Sequence, residues 1–190
     1  MPDQTIPCTY FEQAGPQNTL HTLELAKNRA QELEISHVLV ASTSGATGVQ
    51  ALSFFPPQNL VVVTHSAGFA APNERELLPQ HREAIEQAGA RILTAQHAFG
   101  GIGRAVRRKL GTYQIDEIIA FTLRVFGEGM KVACEIALMA ADAGLIPVGE
   151  EIIAIGGTSK GADTAIVLLA ANAQDFFDLR VLEIICKPRQ

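Results

Sequence analysis

The sequence predicts an α/β domain whose sheet is at least partly parallel, with an antiparallel edge. Three observations carry this. Residues 37–41 (His-Val-Leu-Val-Ala) and 60–64 (Leu-Val-Val-Val-Thr) are continuous apolar runs, the appearance of strands covered on both faces by helices. Helical patterns alternate with them, as in βαβ units. Near the C-terminus three β-like runs follow one another, the first two joined by a glycine-rich loop of hairpin length.

Taken in order, Leu20, Leu23, Ala26, Ala30 and Leu33 recur at three- and four-residue spacing and predict an amphipathic helix over 18–33, which Asn18 or Thr19 can cap. The two apolar strands follow, with a short helix between them. Residues 79–88 read as a helix, with Pro79 in its first turn and Gly89 just past its end, leading to a strand at 91–94. The stretch 100–144 is helical in three segments, broken near Gly111 and around Gly127 and Gly129. Strands are expected at 151–155, 165–170 and 180–186. With no internal repeat, low-complexity segment or linker, residues 1–190 read as one domain.

A chain of 190 residues, 47% hydrophobic and 18% charged, has the material for one packed core. Its net charge of -5 argues against nucleic-acid or membrane-surface binding. No run is long enough to span a bilayer and the start lacks a secretory pattern, so a cytoplasmic location is expected. Cys8, Cys134 and Cys186 are odd in number and far apart, show no zinc spacing, and read as buried thiols.

The chemistry is concentrated at Ser42, Thr43, Ser44, Gly45, Ala46 and Thr47, just beyond the carboxyl end of a buried strand and at the start of a helix, where open α/β sheets place ligands. Four hydroxyls around one glycine, with unpaired N–H groups, suit a phosphate. Ordinary helix capping is the competing reading, since Ser and Thr are favoured caps. Neither GxxxxGK[ST] nor a strand-following GxGxxG is present, so the nucleoside triphosphate and dinucleotide fingerprints are missing.

A second loop, residues 156–163, offers Gly156, Gly157, Gly161, two hydroxyls, Lys160 and Asp163. It is either a plain hairpin turn or a second anion contact, with Lys160 as the cation beside bare amides. If both loops lie at one end of the sheet, they face each other across a cleft.

Further candidates follow other strands. His65 and His97 each stand just after a strand and are either polar strand ends or ligand contacts. Lys131, Glu135 and Asp142 fall near one helical face, which reads as a solvated stripe with a Lys131–Glu135 ion pair or, alternatively, as a wall that brings Glu135 to a ligand. Arg104, Arg107, Arg108 and Lys109 form a basic helix face, solvated or in contact with another subunit of a homo-oligomer. No metal-ligand spacing occurs, and no Ser-His-Asp set, nucleophile elbow or paired-carboxylate motif can be built from the sequence.

Residues 18–64 and 152–168 resemble the C-terminal α/β domain of pyruvate kinase, whose helix, strand, sugar-phosphate turn and following strand are similar to 19–33, 37–41, 42–47 and 61–64. The match extends along nearly the whole chain to free-standing archaeal and bacterial proteins built like that domain. It runs through Ser44-Gly45, residues 64–69, Arg108-Lys109-Leu110-Gly111, Cys134-Glu135-Ile136, Met139-Ala-Ala-Asp142 and Gly156-Gly157 to Gly161-Ala162-Asp163-Thr164. The resemblance implies a three-layer αβα sandwich with a mixed, mostly parallel sheet, and it implies bound FMN. Pyruvate kinase activity is not implied, because the catalytic barrel is absent from the sequence.

On this reading the FMN phosphate sits on residues 42–47. His65 and Gly68 lie at the same rim, while Gly157, Lys160, Gly161, Ala162, Asp163 and Thr164 close the cleft and His97 and Glu135 line it. The expected function is binding of a phosphorylated small molecule with a flavin-dependent redox role, or else a non-catalytic sugar-phosphate sensor.

Overall fold

The computed structural model describes residues 3–189. Its strands are β1 (Thr9–Phe11), β2 (Val38–Ala41), β3 (Leu60–Thr64), β4 (Arg91–Thr94), β5 (Glu151–Gly156), β6 (Thr164–Leu169) and β7 (Arg180–Pro188). Its helices are α1 (Thr19–Glu32), α2 (Ala46–Ala51), α3 (Pro79–Ala88), α4 (Ile102–Leu110), α5 (Ile115–Arg124) and α6 (Glu128–Asp142). The strands form one sheet in the order β1-β7-β6-β5-β2-β3-β4.

Every pairing is parallel except the two made by β6, with β5 and with β7. The mixed, mostly parallel sheet and the hairpin toward one edge are therefore as the sequence predicts. One strand was not anticipated. β1 adds outside β7 in parallel, pairing Thr9 with Cys186. Three residues carry too little periodicity to announce a strand, and its partner lies about a whole chain length away.

Side-chain alternation divides the core into two layers. Val38, Val40, Leu60, Val62, Ile153, Ile155 and Val167 face α1, α2 and α3 through Leu23, Ala26, Ala30, Ala51 and Ile85. Leu39, Val61, Val63, Ile152, Ala154, Ile166 and Leu168 face α6, with Ala120 of α5 joining the same cluster. The strands that read as unbroken apolar runs are those with helices on both sides.

Glycine sets several helix limits where expected. Gly89 and Gly111, at φ 90° and 75°, end α3 and α4, and Gly127, at φ 121°, precedes α6. The cap expected at α1 is not made by Asn18 or Thr19. Their side chains turn back along the chain, Asn18 Nδ2 donating to the Gln13 carbonyl at 2.7 Å and Thr19 Oγ1 to that of Pro16 at 2.7 Å. Thr19 Oγ1 also accepts the Ala162 N–H at 3.0 Å, so it ties α1 to the β5–β6 loop.

The topology has one switch point. From β2 the chain winds outward through β3 and β4, then returns by way of α4, α5 and α6 to place β5 on the other side of β2. The crevice at the carboxyl ends of β2 and β5 is where such sheets open to ligands. Among the described residues, no helix is long and apolar enough to cross a membrane.

Candidate functional site

A cleft of about 820 Å³ opens at that switch point, within the size range of small-molecule sites. The turn after β2 forms one wall, with Ser42, Thr43, Ser44, Ala46 and Thr47 lining it. Gly157, Ser159, Lys160 and Gly161 of the β5–β6 loop form another. The two loops singled out in the sequence thus face each other.

The turn divides its hydroxyls between two tasks. Ser42 Oγ accepts the Gly48 N–H at 3.2 Å and Ser44 Oγ lies 3.5 Å from the Ala46 N, so capping is real. Yet the backbone N–H groups of Ser44 and Gly45 donate to no acceptor among the described residues. Because α2 has only six residues, its dipole is small, and the site draws its donor strength from hydroxyls, these amides and Lys160.

Gly45 has φ 91°, and a Cβ there would stand 2.6 Å from both His81 Cβ and Leu77 Cδ1. The glycine therefore serves the close approach of α3 rather than of a ligand. His81 Nδ1 donates to the Ser44 carbonyl at 2.8 Å and fixes that turn from behind.

Other predicted residues shape the loops from outside the cleft lining. Asp163 is fully buried and its carboxylate accepts the Gly15 N–H at 2.9 Å, the Thr158 N–H at 3.1 Å and the Thr164 hydroxyl at 3.0 Å. Ala162 and Thr164 are buried beside it. Gly68, at φ 78°, donates its N–H to the Glu74 carbonyl at 2.8 Å and bends the loop after β3.

The floor comes from α6. Lys131 and Glu135 do pair, but they are only 5% and 3% exposed and line the cleft, so the solvated-stripe reading is corrected. From Gly129 to Ala141 every residue of α6 but Val132 is buried, and the loop after β4 closes on the pair through His97 and Phe99, leaving no solvated face for it to occupy. Glu135 Oε1 also accepts the Phe99 N–H at 3.0 Å, and Oε2 lies 3.5 Å from His97 Nδ1. Burial alone would raise the Glu135 pKa, but His97 and the Lys131 charge outweigh it and hold the carboxyl at about 2.

His65 and His97 meet at the far end, their ring centroids 5.1 Å apart, with Phe69 stacked on His97 at 4.8 Å. The Arg104 guanidinium lies over Phe69 at 4.9 Å and lines the cleft, while Arg107 pairs with Glu117 at 2.7 Å. Half of the basic helix face is thus engaged within the chain. The Nε2 of His97 is buried without a hydrogen-bond partner among the described residues, in a wall of the cavity. Such an atom calls for a ligand or a water.

Sequence reasoning missed Phe69, Glu76, Arg104, Arg124 and Glu128 as cleft residues. Glu76 and Phe69 sit in an irregular loop with no periodicity to assign them a side. Arg104 was visible as part of a charge cluster, but nothing local told which of its four cations turns inward. Cys134 and Cys186 are buried, and burial pushes both thiols up to about 12, which removes them as nucleophiles at neutral pH. Among the described residues, no cluster of His, Cys, Asp and Glu could hold a metal ion.

The family profile of the pyruvate kinase, alpha/beta domain matches residues 21–168. The chain belongs to that family. The matched stretch of this pyruvate kinase alpha/beta domain runs from α1 to β6, so both loops of the cleft fall inside it, while β1, β7 and the N-terminal segment that receives Asp163 lie outside it.

Proposed function

We propose that the cleft binds a phosphorylated small ligand, with FMN as its leading occupant. The convergence of the hydroxyl-rich turn after β2 with Lys160 across one cavity carries this reading. The donor set suits a phosphate: Ser44 and Thr47 hydroxyls, the free Ser44 and Gly45 amides, and a lysine on the opposite loop. Ala41, Val63, Val132, Ile136 and Met139 supply an apolar surface for a ring. The unpartnered His97 Nε2 suits a polar atom on that ring's edge.

FMN, when bound, supplies hydride or single-electron transfer. The protein's part is to fix the phosphate at residues 42–47, to keep the ring side dry with Phe69 and α6, and to hold a fixed negative charge at Glu135 beside Lys131. The name of flavoprotein oxidoreductase would follow only from turnover.

Titration of the apo protein with FMN, read by quenching of flavin fluorescence, tests the proposal: saturation at micromolar FMN is expected, and no binding by folded protein rejects it. Arg104 and Lys160, the two lining cations that pair with no carboxylate among the described residues, also favour a sugar-phosphate sensor as a second reading. Thermal stabilisation by a sugar bisphosphate and not by FMN would select it.

A further inference from the structure

Three segments bring Thr43, His65 and Glu76 together: the turn after β2, the end of β3, and the loop before α3. Glu76 Oε2 lies 2.7 Å from His65 Nδ1. A carboxylate only accepts, so Nδ1 carries the proton, and in the neutral ring Nε2 is the acceptor. That Nε2 stands 3.4 Å from Thr43 Oγ1. All three residues line the cleft, and Phe69 covers the His65 ring at 4.1 Å.

A hydroxyl beside an imidazole whose other nitrogen is held by a carboxylate is the arrangement that activates a hydroxyl nucleophile, and its hydroxyl bond is commonly long before substrate enters. The Ser44 N–H, which donates to no acceptor among the described residues, follows Thr43 directly in the chain, and Ser44 lines the cleft, where that N–H can serve a developing oxyanion. The sequence hides this set, because the residues are spread over 43, 65 and 76 in no recurrent motif.

We infer that Thr43 is the nucleophile of an ester-hydrolysing site, with His65 as its general base and Glu76 as a positioning residue, acting on carboxylic esters that carry an anionic group. His65 Nε2 takes the Thr43 proton as Oγ1 bonds to the carbonyl carbon. The carbon–alkoxy bond breaks, and the alcohol leaves with that proton. Water, deprotonated by His65, then attacks the acyl-threonine, releasing the acid and restoring Thr43. One water is consumed and no electrons are exchanged. Lys160 and Arg104, in the lining of the same cleft, set the preference for an anion. The Ser44 N–H and Lys160 serve either a ligand phosphate or this ester, so the two occupants compete for the turn and the inference is tested on protein free of phosphorylated ligand.

A fluorophosphonate probe tests it without any charged group. Oγ1 bonds to phosphorus, the phosphorus–fluorine bond breaks, and fluoride leaves while the proton passes to His65. The expected result is one adduct on the full chain, mapped by peptide mass spectrometry to Thr43. It should persist in Thr43→Ser, vanish in Thr43→Val, and form at least about 100-fold more slowly in His65→Gln.

Glu76→Gln should slow labelling of Thr43 and Glu76→Asp should restore part of the rate, as a group that positions the His65 ring requires. Mapping the wild-type adduct needs no variant to fold. No adduct on folded wild type, an adduct at another residue, or an unchanged rate in His65→Gln overturns the inference.

Discussion

Lys131 donates to Glu135 one turn along α6, and the pair is buried in the floor of the cleft. Neutralising one partner leaves the other as an uncompensated buried charge, which costs far more than the pair contributes. Glu135→Gln is therefore expected to destabilise the fold by about 3 to 5 kcal/mol, read from urea unfolding. The double variant Lys131→Met, Glu135→Leu should recover part of that loss, since replacing a whole buried pair is often neutral but the Phe99 N–H is left without its acceptor.

The Glu135 carboxylate, held by His97 and by Lys131, also sets an acid dependence. Glu135 is held at about 2 in the fold against an ordinary value of 4.5. A depressed carboxyl contributes stability that is fully present above the unfolded value and lost as pH falls through the folded one. Protonating this buried carboxylate therefore costs about 3 kcal/mol of stability, which should be lost between about pH 5 and about pH 2. Urea midpoints measured across that window should show a shallower slope in Glu135→Gln than in the native chain.

Capping and ligand binding are separable within the turn. Ser42→Ala removes the acceptor for the Gly48 N–H and should lower stability by about 1 kcal/mol. Ser44→Ala with Thr47→Ala should instead weaken FMN by about 1 to 3 kcal/mol for each charge-assisted bond lost. Fluorescence titration of both variants distinguishes the effects, and an unchanged dissociation constant in the double variant would remove the turn from the phosphate site.

Legibility in the sequence followed locality. β2, β3 and β5 announced themselves because burial on both faces leaves only apolar residues, and Pro79 and Gly89 marked α3 by their backbone preferences. The turn at residues 42–47 was visible because its hydroxyls are contiguous. Lys131 and Glu135 read as solvent-facing because helical spacing gives a face but not its surroundings, and the loop after β4 covers them with His97 and Phe99. The relay of Thr43, His65 and Glu76 depends on a loop whose path no periodic pattern records, and β1 depends on a partner at the other end of the chain.

At the end of β5, Gly156 marks where α6 presses on the sheet: a Cβ there would lie 2.5 Å from the Gly129 carbonyl oxygen and 3.1 Å from Val132 Cβ. Backbone cannot swing away as a side-chain tip can, so Gly156→Ala must displace the first turn of α6. A loss of about 1 to 3 kcal/mol is expected. Because Lys131 and Val132 line the cleft near that turn, FMN affinity should fall in the same variant, whereas Gly144→Ala, strained at φ 66° but with nothing within 4 Å and far from the lining, should lower stability and leave affinity unchanged.

Asp163 clasps two segments, since its buried carboxylate holds the β5–β6 loop to itself through Thr158 and to the N-terminal segment through Gly15. Asp163→Ala would leave two backbone donors and the Thr164 hydroxyl short of an acceptor in a site closed to water. Bonds to a charged acceptor contribute about 1.5 to 3 kcal/mol each, although losses within one network do not add. A destabilisation of about 3 to 4 kcal/mol is expected by urea unfolding. Hydrogen exchange supplies the sharper check. The Gly15 and Thr158 amides should lose protection together in Asp163→Ala, while those of β2 and β3 keep theirs. Exchange that rises equally at all four places would mean that the whole fold has loosened and that the carboxylate is not a local clasp on the loop carrying Lys160.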